Sequence, residues 1–207
     1  MASPKLSLDQ PPFLVTGDLS GEEIDITWNV SISLRHLVEY TDDFRAALAL
    51  FDACNEGLAS DPKAPWLRKW RDLAGRDAGM SLWHFGRTIE GVQELIGDHP
   101  ILKTRTNPRT LKQARSLLER KFRMREQIRH AIAHRSDFFT SPQKARYHSI
   151  PTAPGVRETR WGQLRGRRFR YTVNGAAYYY DMNQETLDRL IEVRSIFFSA
   201  FVFNKIQ

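Results

Sequence analysis

The sequence predicts a mainly α protein, an antiparallel bundle of helices with a β-hairpin inserted before the last one. Three observations carry that expectation. Apolar residues recur at three- and four-residue spacing over two long stretches between about Val30 and Ile96. Residues Pro108 to Phe139 contain no internal glycine or proline, so helix can run through most of them. Asn174-Gly175 stands between two aromatic-rich alternating runs, the strongest short-range hairpin signal.

The first helix is expected from about Val30 to Leu58. Leu34, Leu37, Val38, Thr41, Phe44, Leu48, Phe51 and Leu58 form its inward stripe, and Gly57 with Ser60-Asp61-Pro62 ends it. Residues 1–27, with Pro4, Pro11, Pro12, Gly17 and Gly21, read as a tail or loosely docked segment ahead of a helical domain over 28–207. The second helix is expected from about Ala64 to Ile96, with Pro65 tolerated in its first turn. Leu67, Ala74, Ala78, Leu82, Phe85, Ile89, Val92 and Ile96 make its core stripe. A second, mixed stripe of Leu73, Asp77, Met80, His84, Gly91 and Leu95 implies a further contact, such as a subunit interface or a polar cleft. Leu111, Ala114, Leu118 and Phe122 then mark one helix, and Ile128, Ala131 and Ile132 another, with a break expected near Lys121 to Arg125.

Residues 141–182 form a basic loop and hairpin. A two-residue type I′ turn at Asn174-Gly175 fixes the register. Phe169 should face Tyr180, Tyr171 face Tyr178 and Val173 face Ala176 on one side of the sheet. On the other side Arg170 meets Tyr179 and Arg168 meets Asp181. Asn183 can cap a last helix from Gln184 to about Asn204, which carries a heavy apolar load.

The chain has 207 residues and a net charge of +7, and its cations comprise 23 arginines and 8 lysines. Arginine forks suit phosphate, so an anionic partner is favoured. No stretch is apolar enough to span a bilayer, and Met1 to Gln10 lacks the pattern of a signal peptide. The single cysteine, Cys54, can form no internal disulfide. A soluble, cytoplasmic protein is the expectation.

Chemistry is expected first in Ile128-Arg129-His130-Ala131-Ile132-Ala133-His134-Arg135. Four residues separate Arg129 from His134, and His130 is the polar neighbour of the arginine. Arg123 and Arg125 also stand at comparable distances from His130, but the helical setting favours Arg129 with His134. An imidazole titrates near neutral pH, and a guanidinium can stabilise a developing phosphorane, so the pair suits RNA cleavage without metal. Residues five apart on one straight helix point about 140° from each other, so a helix end or a two-fold partner would be needed to converge them. A zincin would need Glu at position 131, which is Ala131, so no metal and no cofactor are expected.

This segment resembles the signature of the HEPN superfamily, an arginine followed after four to six residues by a histidine. The upstream run Gly75 to Arg87 is similar to a long bundle helix of HEPN proteins from abortive-infection-type systems. The resemblance covers roughly residues 28–139, with the final helix included, and the hairpin departs from minimal HEPN domains. It implies a homodimeric endoribonuclease of toxin, defence or stress function, releasing 2′,3′-cyclic phosphate and 5′-hydroxyl ends, with a possible separate antitoxin or regulatory protein. It also implies catalytic roles for Arg129, His134 and His130. Asp77 and His84, two turns apart on the second helix, would support the cleft. Arg160, Arg165, Arg167, Arg168 and Arg170 would bind RNA alongside interleaved aromatics. The competing expectations are a HEPN-like module that binds RNA or a nucleotide without cutting, and a helical protein-interaction module.

Overall fold

The computed structural model describes residues 10–12, 14, 19–133 and 140–201. Among them are seven helices and five short strands, so the protein is mainly α with a small antiparallel sheet before the last helix. The helices are α1 (Gly21–Ser60), α2 (Pro65–Asp98), α3 (Pro100–Thr104), α4 (Pro108–Phe122), α5 (Arg125–Ala133), α6 (Pro142–Tyr147) and α7 (Gln184–Ser199). The strands are β1 (Ile150–Ala153), β2 (Val156–Glu158), β3 (Trp161–Arg165), β4 (Arg168–Val173) and β5 (Ala176–Asp181). No described helix is long and apolar enough to cross a membrane. The chain divides into two compact units, and α1, α2 and α7 contribute residues to both.

α1 begins at Gly21, earlier than the apolar periodicity from Val30 suggests, and takes up the last part of the expected tail. The cause is the carboxylate half of a capping box, Glu23 reaching back to Ser20. Glu23 accepts hydrogen bonds from the Ser20 backbone N–H at 2.9 Å and from its hydroxyl at 2.7 Å. The break between the fourth and fifth helices falls where expected, between Phe122 and Arg125.

The first unit comprises Met1–Asp42, His84–Lys121 and Asp188–Gln207. Its core joins Val30, Leu34 and Leu37 of α1 with Phe85, Ile89 and Val92 of α2, Leu111, Ala114 and Leu118 of α4, and Leu190, Val193 and Phe197 of α7, all buried. Polar ties fix the segments around it. Gln93 donates to the Leu111 carbonyl at 3.0 Å, and the Asn107 N–H donates to the Ala200 carbonyl at 2.6 Å.

The second unit comprises Asp43–Trp83 and Phe122–Leu187. β4 and β5 pair in the expected register, Phe169 with Tyr180, Tyr171 with Tyr178 and Val173 with Ala176. Asn174 and Gly175 take φ of 52° and 74°, the two positive values that a type I′ turn needs. A third strand, β3, pairs with β4 and was not foreseen; Gly162, at φ 80°, sits at its irregularity, and β1 with β2 forms a separate two-stranded ribbon. Phe169, Tyr171, Val173 and Tyr180 are buried, as are Ala74 and Ala78 of α2 and Ile128 and Ala131 of α5. The Tyr180 hydroxyl donates to the Gly75 carbonyl of α2. Burial and the neighbouring Tyr171 hold its phenol well above the ordinary range, so it stays a neutral donor. The last helix is capped by Asn183, whose Oδ1 accepts from the Thr186 N–H at 2.9 Å.

Candidate functional site

The site is built on α5, in the second unit. Arg125 is buried at the start of this helix. The next residue, Glu126, accepts a hydrogen bond from the indole N–H of Trp83 at 3.0 Å, which fixes the plane of that ring. The guanidinium carbon of Arg129 lies 5.0 Å from the centroid of the same ring. Glu126 therefore orients Trp83, and Trp83 offers its π-face to Arg129. The sequence pattern that singles out Arg129 says nothing of Trp83 or Glu126. Glu126 alone could have been found by spacing, because it stands three residues from Arg129 on one helix face.

His130 faces a second imidazole that sequence reasoning missed. The rings of His130 and His148 lie 6.3 Å apart at 42°. His148 is buried, with 8% of its surface exposed, at the end of α6. Its Nδ1 accepts the backbone N–H of Asn174 at 3.2 Å, so in the neutral ring the hydrogen sits on Nε2. Burial, then the nearby His130 and Lys144, push its pKa below the ordinary 6.5. Tyr147 meets the ring edge-on at 5.1 Å. The bond to Asn174 ties the hairpin turn to the surroundings of α5, and no sequence motif announces it.

The remaining expected residues are distributed as follows. His134 lies outside the described residues. Asp77 is exposed on α2 in the second unit and lines an open, largely apolar pocket of about 540 Å³ with Leu50, Leu73, Met80 and Ile132. His84 belongs to the first unit, where its ring stacks on Tyr40 at 5.2 Å and 19°.

The five arginines of the hairpin region separate into two groups. Arg160 grips Glu158 with two hydrogen bonds of 2.8 and 2.5 Å. Arg167 meets Asp52 at 2.6 Å and lies 5.2 Å from the centroid of Phe51. Arg168 binds Asp181 through bonds of 2.8 and 3.0 Å while stacking 4.2 Å from the centroid of Tyr179. These three guanidinium groups serve the sheet and its attachment to α1. Arg165 is exposed and Arg170 half-buried; neither forms an ion pair with a carboxylate among the described residues, although the charge of Arg170, after the hydrogen bond and charge of Arg160, helps hold Glu158 below the usual carboxylate range.

Among the described residues, no three His, Cys, Asp or Glu side chains converge as metal ligands. No family model, curated protein or solved structure matches the chain.

Proposed function

We propose that the protein is a metal-independent endoribonuclease of HEPN type, acting as a homodimer in the cytoplasm in a toxin, defence or stress response. In this reading an imidazole takes the proton from a ribose 2′-hydroxyl as its oxygen attacks the neighbouring phosphorus. The bond from phosphorus to the 5′-oxygen breaks, and a second protonated group supplies the proton to that leaving oxygen. The products are a 2′,3′-cyclic phosphate and a 5′-hydroxyl. Arg129 balances the charge on the phosphorane, and His134 and His130 are the proton-transfer groups.

The observation that carries the proposal is the setting of Arg129 and His130. A guanidinium held against Trp83 adjoins an imidazole that has a second imidazole 6.3 Å away, in a chain of net charge +7. The part given to His134 rests on the motif. The test is incubation of purified protein with structured and unstructured RNAs in the presence of chelator. Cleavage is expected to fall by roughly 10²–10⁴-fold in His134→Ala, with the fold retained by circular dichroism. RNA left whole by the wild type, or cut equally by the variant, defeats the proposal. Salt-sensitive binding of intact RNA would instead make the same groups a phosphate-holding site in a binding module.

A further inference from the structure

The exposed apolar side chains of α2 are not scattered. Trp66, Trp70 and Leu73 are 57%, 52% and 46% exposed, and they recur at four- and three-residue spacing. Asp77, exposed, and Met80, half-buried, continue that spacing, so one outward stripe runs from Trp66 to Met80. The opposite side of the helix is spent on the core, where Ala74 and Ala78 are buried. Leu50 of α1, 40% exposed, joins Leu73, Asp77 and Met80 in lining the open pocket of about 540 Å³. Bulky apolar knobs and an apolar hollow therefore lie end to end along one helix. A monomer surface normally carries such residues singly, and a row of them marks a contact.

The charges on the stripe select what covers it. Lys69 and Asp77 stand four residues before and four residues after Leu73. Both are exposed, and neither has an ion pair among the described residues. A lipid surface would have to bury the Asp77 carboxylate, and an RNA backbone would be repelled by it. A second copy of the same stripe supplies what Asp77 lacks. In two helices related by a two-fold axis at Leu73 and running antiparallel, residues equally far from position 73 come to the same height. Lys69 then meets Asp77 of the other copy, Trp66 meets its Met80, and Leu73 meets Leu73. Each pairing is favourable: opposite charges, an aromatic ring with a thioether, and two leucines. Parallel helices would instead set Asp77 against Asp77.

We propose that this stripe is the face on which a second copy of the chain docks, the two α2 helices crossing antiparallel at Leu73. The contact is isologous, with the tryptophans of each copy seated against the hollow of the other. The proposal deepens the homodimer part of the functional reading and needs none of its RNA chemistry.

The test is sedimentation velocity of the full-length protein from about 1 to 100 µM, a range suited to a small interface. The wild type is expected to dimerise. Trp70→Ala should weaken the dimer by at least about tenfold, with the fold retained by circular dichroism because this ring is largely exposed. Lys69→Asp and Asp77→Lys should each weaken it by roughly three- to tenfold, and the double variant should recover most of the loss. Residues eight apart lie about 12 Å from each other along one helix, too far to bond within a chain, so recovery reports a contact between copies. A dimer that is indifferent to Trp70→Ala overturns this face and leaves the homodimer reading standing. A double variant no better than its parents overturns the antiparallel register. Wild type that stays monomeric at every concentration overturns the face and the homodimer reading together, whether or not Trp70 then binds phosphatidylglycerol vesicles or single-stranded RNA.

Discussion

The ring of Phe169 on β4 lies against Gly75 of α2, in the space that a side chain at residue 75 would occupy. The sheet packs on the helix through this notch. Phe169 is flanked by Tyr180, stacked 5.6 Å away, and by Phe51 of α1 at 6.4 Å. Gly79, one turn along α2, has the Tyr180 hydroxyl and Ile128 about its own missing Cβ. The two glycines thus let one sheet and one helix bury aromatic rings at close approach.

Gly75→Ala should therefore destabilise the protein, although alanine is the better helix former. The added methyl overlaps a fully buried ring. Overpacking of this kind costs about 1–3 kcal/mol, and the backbone must shift to relieve it. Gly91→Ala is the control, because nothing lies within 4 Å of its would-be Cβ. There the gain in helix propensity, about 1 kcal/mol, should raise the melting temperature. Thermal denaturation of both variants checks the pair; equal shifts of the same sign would refute the notch.

A pH dependence follows from His148. Its folded pKa is below 6.5, so the native state binds fewer protons than the unfolded chain as pH falls from 7. Stability contributed by the neutral ring is complete above about 6.5 and is lost as pH falls toward the folded pKa. Once protonated, Nδ1 can no longer accept the Asn174 N–H. The groups facing the ring are His130, Lys144 and Tyr147. Denaturant midpoints measured between pH 7.5 and 5 should fall for the wild type and fall less for His148→Asn. Identical slopes would remove His148 as the cause.

Much of the fold could be read in the residues. The hairpin was legible because turn chemistry and cross-strand pairing agreed on one register at Asn174-Gly175. The core stripe of α2 was legible because eight apolar positions kept helical spacing. The early start of α1 was missed because the apolar pattern begins at Val30, whereas the signal that sets the start is polar, Ser20 with Glu23. β3 was missed because Trp161 to Arg165 holds a glycine and two polar residues and gains its strand character from β4. Of the candidate site, Arg129 and His130 were visible as a motif. Trp83 and His148 were not, since they come from distant positions in the chain and only packing brings them to α5, and Glu126, though three residues from Arg129, shows its part only once Trp83 is placed beside it.

The arginine-rich region should split in its response to mutation. Removing Arg167 or Arg168 breaks a partly exposed ion pair and a ring contact, so stability should fall by about 0.2–1 kcal/mol. Arg165→Ala and Arg170→Ala should leave the melting temperature nearly unchanged. If RNA is the ligand and these two contact phosphate, each should reduce the salt dependence of binding by about one released ion. A salt titration of RNA affinity across the four variants makes the comparison. Uniform behaviour of all four would contradict the division drawn from their ion pairs.

The arrangement around Arg129 makes Trp83 and Glu126 positioning residues for the proposed cleavage. Arg129→Lys keeps a positive charge but loses the planar fork that lies over the indole, so cleavage should fall by at least about tenfold. Glu126→Gln retains an acceptor for the Trp83 N–H and should stay close to wild type, whereas Glu126→Leu frees the indole and should lower cleavage. Because neither change touches a proton-transfer group, the pH profile of cleavage should keep its shape in both Glu126 variants while the rate falls in only one. The measurement is single-turnover cleavage of one labelled RNA from pH 5.5 to 8.5. An altered profile in Glu126→Leu would show that the carboxylate itself takes part in proton transfer, and equal loss in Glu126→Gln and Glu126→Leu would show that its hydrogen bond to Trp83 is not what positions Arg129.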